Sequence, residues 1–321
     1  MKNMLRRAAF GALLTLTTLT AAAAQDWPSR NVTVIVPVPA GVASDVIARV
    51  VFEQVGKQVG QTFIVENRPG AGGTIGGNLV AKAQPDGYTV LVWGSIAAAN
   101  ALYTKLPYDT LKDFTPVAVF GQTPLVVVAT PGRFKTLSEL VSAAKANPGK
   151  LNYASVGVGS SAHFGAERLA VSSGFTAQHI PFKGGEWLAE VMAGRIEFAV
   201  PPVTSAISLI RDGKLTPLAI SSSTRTPSLP NVPTMEEAGL TRDAVYPFYT
   251  GAYLPAKTPH AIAEKLHAEV MKALAVPSVR EKLVAVGVDP MPMTLAEFGT
   301  FFKKDVADNL DLVKAAKIPT Q

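Results

Sequence analysis

The stretch Val32-Thr-Val-Ile-Val-Pro-Val-Pro-Ala-Gly-Val-Ala-Ser-Asp45 decides the architecture. Its first part is a β-branched run closed by proline, which predicts a buried strand over 32–37. It then turns through Pro, Ala and Gly into a segment where Ile47, Val51 and Val55 recur at i, i+4 and i+8. That spacing predicts a helix over 44–59, with Ser44 or Asp45 as its cap and Gly60 as its stop. A strand feeding directly into an amphipathic helix is the repeating unit of open parallel α/β sheets.

Outward from this unit the alternation continues. Residues 63–65 and 89–93 read as core strands, and the glycine-rich 67–77 opens a helix between them. A capping box, Thr136-Leu-Ser-Glu139, starts a helix that stops at Asn147-Pro-Gly149. Strand 151–155 meets a second glycine-rich turn, Gly157-Val-Gly-Ser-Ser161, and a helix from about Ala162. Strands at 196–200 and 218–221 follow, then a proline-rich stretch, a strand-like 246–254, and three helices. These cover 259–274 with Thr258 as cap, 278–286, and a last one opened by the box Thr294-Leu-Ala-Glu297. The long apolar run 117–129, broken at Gly121–Pro124, reads as a crossover between lobes, with 246–254 as the return. The expectation is an α/β fold with two lobes of open, mostly parallel sheet joined by two crossover strands. Residues 25–123 plus 249–321 form a discontinuous first lobe, and 124–248 form the second.

Composition narrows the function classes. Of 321 residues, 48% are hydrophobic and 17% charged, without runs of like charge, which excludes a disordered chain and a coiled coil and suits two domains. Residues 1–24 carry Lys2, Arg6 and Arg7, an apolar run to about Leu19, and four alanines. This is the pattern of a secretory signal peptide cleaved at Ala22-x-Ala24, with an apolar run short of the ~20 residues a membrane span needs. A cleaved leader would place the mature chain in the periplasm. Losing those three cations lowers the formal charge from +6 to +3. So small an excess, with no basic cluster, argues against a nucleic-acid partner. The chain has no cysteine, which excludes disulfides, thiol nucleophiles and cysteine-held metals.

Most catalytic motifs are missing. Gly157-x-Gly159-x-x-Ala162 matches a dinucleotide fingerprint at its minimum, but the acidic residue expected about 20 positions on is replaced by Gln178-His179-Ile180. No phosphate loop exists, and His163, His179, His260 and His267 show no metal-ligand spacing, so neither a cofactor nor a metal is expected. Ser160 and His163 lie close, but no Gly-x-Ser-x-Gly elbow holds them. What remains are two strand-to-helix turns, 37–44 and 154–161. Glycines there let a backbone approach a ligand, and the first N–H groups of each following helix are free to receive an anion. Each turn can hold one carboxylate edge, and the competing reading is a pair of ordinary tight turns.

These residues carry a resemblance. The run 34–49, Gly60-Gln61, Val65-Glu-Asn-Arg-Pro-Gly-Ala-Gly-Gly-Thr-Ile-Gly76 and Pro85-Asp-Gly-Tyr-Thr89 resemble the Bug family, the solute receptors of tripartite tricarboxylate transporters. Leu106-Pro-Tyr-Asp109, Tyr153-Ala-Ser155, Lys183-Gly184, Val232-Pro-Thr234 and Thr258-Pro259 continue it in order. The resemblance implies a Venus-flytrap periplasmic binding protein that holds a small organic carboxylate between its lobes, performs no chemistry on it, and delivers it to membrane subunits of the transporter, as a monomer. It places Val38, Ala40, Gly41, Val42 and Ala43 in the first binding turn, and Ser155, Val156, Gly157, Gly159 and Ser160 in the second. Ser95 sits where a third strand-end contact would fall. His163 serves either the ligand or the second turn, Asp45 and Arg49 look structural, and the loop 67–73 lies outside the cleft. Trp187 is either a wall of the site or a packed helix residue.

Departures from the family pattern bear on the ligand. Ala40 and Gly41-Val42 stand where a second proline and a double glycine are usual, and Gly185-Glu-Trp187 follows Lys183-Gly184. The segment 198–203 has no carboxylate to meet an ammonium, so a carboxylate with an apolar or aromatic body, or a dicarboxylate, is favoured over an α-amino acid. Two other functions fit the same sequence: a periplasmic sensor feeding a signalling protein, and an exported hydrolase using Ser160 and His163.

Overall fold

Strand β1 (Val32–Val36) is buried along nearly its whole length, because helices cover both faces of the sheet it belongs to. A computed structural model of the chain describes residues 27–41, 43–94, 96–182, 186–240, 246 and 248–320. The expected signal peptide, 1–24, lies outside these residues. So do Val42, Ser95 and Lys183–Gly185.

After β1 come α1 (Ala43–Val59), β2 (Phe63–Asn67), α2 (Thr74–Ala81), β3 (Thr89–Trp93), α3 (Ile96–Leu102) and β4 (Phe114–Thr123). Next are β5 (Val126–Ala129), α4 (Leu137–Ala146), β6 (Asn152–Ser155), α5 (Ser161–Ser173), β7 (Gln178–Pro181), α6 (Trp187–Met192), β8 (Phe198–Ala199), α7 (Val203–Arg211) and β9 (Thr216–Ile220). The chain closes with β10 (Phe248–Pro255), α8 (His260–Ala275), α9 (Pro277–Ala285) and α10 (Leu295–Ala315).

The strands form two five-stranded sheets, ordered β2-β1-β3-β10-β4 and β7-β6-β8-β5-β9. In the first, β1 runs parallel to β2 and β3, and β10 is antiparallel to both its neighbours. In the second, β6 is parallel to β7 and β8, and β5 is antiparallel to β8 and β9. The single reversed strand in each sheet is thus a strand that enters from the other sheet. The architecture is two-lobed mixed α/β. One face of the first sheet packs on α1, α8 and α9 through Ile47, Val51, Leu266 and Leu283, and the other on Val80, Phe298 and Phe302. The second sheet is covered by Leu140 and Leu169 on one face and by Val191, Val203 and Ile207 on the other.

The apolar run 117–129 does cross between sheets, at Pro124-Leu125 between β4 and β5. The crossing is tied to the return by one side chain. Buried Ser221 accepts the Leu125 N–H at its Oγ (2.9 Å) and donates to the carbonyl of Tyr246 (3.0 Å). A fifth apolar cluster joins the lobes away from these crossings, with Ala98, Ala101 and Leu102 of α3, Phe164 of α5, and Leu312 and Val313 of α10.

Local departures from the sequence reading have local causes. Thr258 does not cap α8: Pro259 occupies the N-cap with φ −52° and ψ 135°, which leaves Thr258 one residue outside with its buried hydroxyl unpartnered. The Thr294–Glu297 box forms in full. The Thr136–Glu139 box forms by half, since Glu139 turns back to the N–H of Lys135 (2.7 Å) and not to that of Thr136. Helices α3, α6 and α7 and strand β7 are additions that the sequence pattern did not show. All four are short, and α3 is an alanine-rich segment buried on most sides, without a polar stripe to betray its period.

Candidate ligand-binding site

Both glycine-rich turns follow a strand at its carboxyl end and open a helix, β1 into α1 and β6 into α5. In open α/β sheets this is where ligands collect.

The first turn is held by a carboxylate beneath it. Asp45, almost fully buried, accepts the Gly41 N–H at Oδ2 (2.8 Å), and at Oδ1 accepts Arg49 Nε (3.0 Å) and Asn67 Nδ2 (2.9 Å). Asn67 also donates to the carbonyl of Val38 (3.1 Å) and accepts from Arg49 (2.9 Å). Burial pushes the Asp45 carboxyl up, but Arg49, the Gly41 amide and Asn67 together hold it below the usual carboxylate range. Asp45 therefore stays ionised as an internal anion, and the Gly41 amide is already occupied. Ala40 and Gly41 are exposed, and Ala43 and Ser44 are the first helical residues, whose N–H groups have no acceptor within α1. Asn67, the first residue of the loop expected outside the cleft, stands directly behind the turn. Its signal was present only as a residue at the end of a strand whose parallel register with β1, Val36 opposite Asn67, the sequence did not specify.

The second turn adopts backbone that favours glycine, with φ +114° at Gly157 and +85° at Gly159. Ser155, fully buried, accepts the Gly157 N–H at its Oγ (3.0 Å) and is 2.6 Å from His179 Nε2. His163, 3% exposed, accepts the Gly159 N–H at Nδ1 (3.2 Å). Ser160 caps α5, accepting the His163 backbone N–H (3.2 Å) and donating to the Gly157 carbonyl (2.8 Å). The predicted residues therefore divide. Ser155 and His163 brace the turn from behind, Val156 is exposed at 48%, and Ser161 and Ala162 offer the first unshared amides of α5.

The Ser160 and His163 side chains make no bond to each other, because the imidazole is committed to Gly159 and the hydroxyl to Gly157. A nucleophile and base need the opposite arrangement. Trp187, 5% exposed, packs into the core of the second lobe with Leu188 and Val191.

Three contributors went unnoticed in the sequence. Val158, 39% exposed, stands beside Val156 on the outside of the turn. His179 reaches the turn because β7 pairs with β6 in parallel register, Tyr153 opposite His179. Leu102 of the first lobe's α3 abuts Gly159, such that a β-carbon built there would lie 2.6 Å from Leu102 Cδ1.

Residues 47–318 match the family described as tripartite tricarboxylate transporter family receptor. The chain belongs to this family. The receptor is 34% identical over 276 residues to Protein BugT of Bordetella pertussis, covering 84% of each chain. Among solved structures it is similar to MatC from Rhodopseudomonas palustris with bound malate, at TM-score 0.78 and 34% identity, covering 89% of this chain and 100% of that one. It is also similar to R. palustris Rpa4515 with adipate, at TM-score 0.82 and 29% identity, covering 92% and 100%. The receptor thus shares its two-lobed binding-protein architecture with relatives solved holding small dicarboxylates.

Proposed function

We propose that the receptor is exported and captures a small organic carboxylate between its lobes, through backbone amides of the turns at 38–43 and 155–162, without altering it, and passes it to membrane subunits of a tripartite transporter. The single observation that carries this reading is the shared design of the two turns, each at the carboxyl end of a parallel strand, braced from behind by buried side chains, and opening a helix whose first amides are left over. Among the described residues, no lysine or arginine braces the second turn. Amide dipoles there suit a single carboxylate edge, and closure needs only that the ligand favour the closed arrangement. Exposed Val156 and Val158 offer apolar contact to a ligand body, which supports a dicarboxylate with a methylene chain or an aromatic acid over an amino acid. The strand membership of the two sheets supports dividing the chain into 25–123 plus 249–321 and 124–248, and Ser221 would be the hinge tie.

The test is thermal unfolding of protein stripped of ligand by denaturation and refolding, against mono-, di- and tricarboxylates, aromatic acids and amino acids. A ligand at 100 times its Kd adds about 2.7 kcal/mol, several degrees for a chain of this size. A shift confined to carboxylates is expected. A shift with amino acids alone, or chemical conversion of a bound acid, would refute the reading.

A further inference from the structure

Behind the second turn lies a stack of three rings from three elements. Tyr153 of β6 and His179 of β7 stack at 4.9 Å between ring centres and 11°, and His179 and His163 of α5 at 4.1 Å and 13°. Receptors that bind through backbone need no such device for contact, and the His163 imidazole, 3% exposed, is not a surface group of the turn.

The bonding fixes the state of His163. Its Nδ1 receives the Gly159 N–H, so Nδ1 is bare and the single ring proton sits on Nε2. A second proton at Nδ1 would face that N–H donor to donor. The groups that could stabilise an imidazolium are poorly placed. Glu167 Oε1 is 4.0 Å from Nε2, beyond hydrogen-bond reach, and is bonded to the Tyr153 hydroxyl. Tyr153 presents a ring face, β7 contributes His179, a second imidazole, and α3 contributes apolar Leu102. Glu197, at the far end of β6, is committed to Asn152 and Arg133. Burial, then the neighbouring His179, depresses His163 to about 3, and burial depresses His179 to about 4.

We propose that His163 is a positioning residue for ligand binding: as a neutral imidazole it holds the Gly159 amide, while His179, stacked on it, holds Ser155 and through it the Gly157 amide, so that the turn keeps one shape before the ligand arrives. This rests on the carboxylate-receptor reading for its purpose, but not for its test. Asparagine places Oδ1 close to where histidine has Nδ1, so His163→Asn keeps the acceptor and His163→Ala removes it.

In ligand-free, 15N-labelled protein, His163 should be neutral with its proton on Nε2 from about pH 8 to 5. The Gly159 amide should exchange roughly 10-fold or more faster in His163→Ala and return to within about 3-fold of wild type in His163→Asn. Affinity for adipate or malate, whichever binds, should follow the same order and stay flat over that pH range in wild type. A protonated Nδ1, unchanged Gly159 exchange in His163→Ala, or an asparagine variant no better than alanine would overturn the proposal. If wild type binds neither acid while the ring state and exchange are as expected, the choice of carboxylate falls and the positioning role stands.

Discussion

Replacing Gly159 with alanine tests the meeting point of the two lobes. Two costs are expected. Gly159 has φ +85°, and an L-residue in left-handed backbone costs about 1–2 kcal/mol. The added methyl would also sit 2.6 Å from Leu102 Cδ1, far inside contact distance. Leu102 cannot swing clear freely, since it is 1% exposed and packed with Phe164, Leu312 and Val313, and overpacking of this kind costs roughly 1–3 kcal/mol. The single variant should therefore lose about 2–5 kcal/mol. Leu102→Ala alone should cost about 2–5 kcal/mol through its cavity, but it also vacates the space the new methyl needs. In the double variant only the backbone cost of Gly159→Ala remains, about 1–2 kcal/mol. The two changes should thus couple favourably by roughly 1–3 kcal/mol, read from reversible urea unfolding of the four proteins. Strict additivity would show that turn and helix do not touch, and would remove Leu102 from the account of the site.

Ser221→Ala should cost about 1–3 kcal/mol by orphaning both the Leu125 N–H and the Tyr246 carbonyl at the crossings, with the far-ultraviolet spectrum unchanged; a neutral effect in urea unfolding would mean that Ser221 does not tie them. Stability should also respond to pH in a way that His163 controls. Its folded-state value near 3 lies below the ordinary 6.5, so between these the unfolded chain binds more protons, and stability falls as pH drops, by up to about 1.4 kcal/mol per unit. Asp305 opposes this, because burial lifts its carboxyl from 3.8 to about 6, so the folded chain takes that proton first and gains stability as pH falls through 6. Comparison with His163→Asn isolates the histidine: on going from about pH 7 to about 4.5, wild type should lose up to about 3 kcal/mol more than the variant, and parallel curves would contradict the buried neutral ring.

Much of the fold was legible because it rests on local signals. The β-branched run at 32–36, the 47/51/55 spacing and the box at Thr294 each act within a few residues, and each element formed where its signal lay. The two turns were legible for the same reason, as glycines placed between a strand and a helix. The rest of the site was not. Asn67 and His179 became partners of the turns only through parallel strand register, and Leu102 only through the packing of one lobe on the other.

The sequence by itself determined the kind of fold, the family, and the two turns, since propensity, capping and hydrophobic period are written in neighbouring residues. Spacing already pointed to Asp45 as a brace of the first turn and offered His163 to the second, and tertiary structure decided which amides of those turns are taken and in what charge state their acceptors sit. Gly41, Gly157 and Gly159 donate to Asp45, Ser155 and His163, and the acceptors take effect only because burial and distant partners hold them. Asp45 stays charged through Arg49 and Asn67, and His163 stays neutral through desolvation and His179. Charge state in a protein interior is set by what surrounds a group in space, and no local pattern along the chain encodes it.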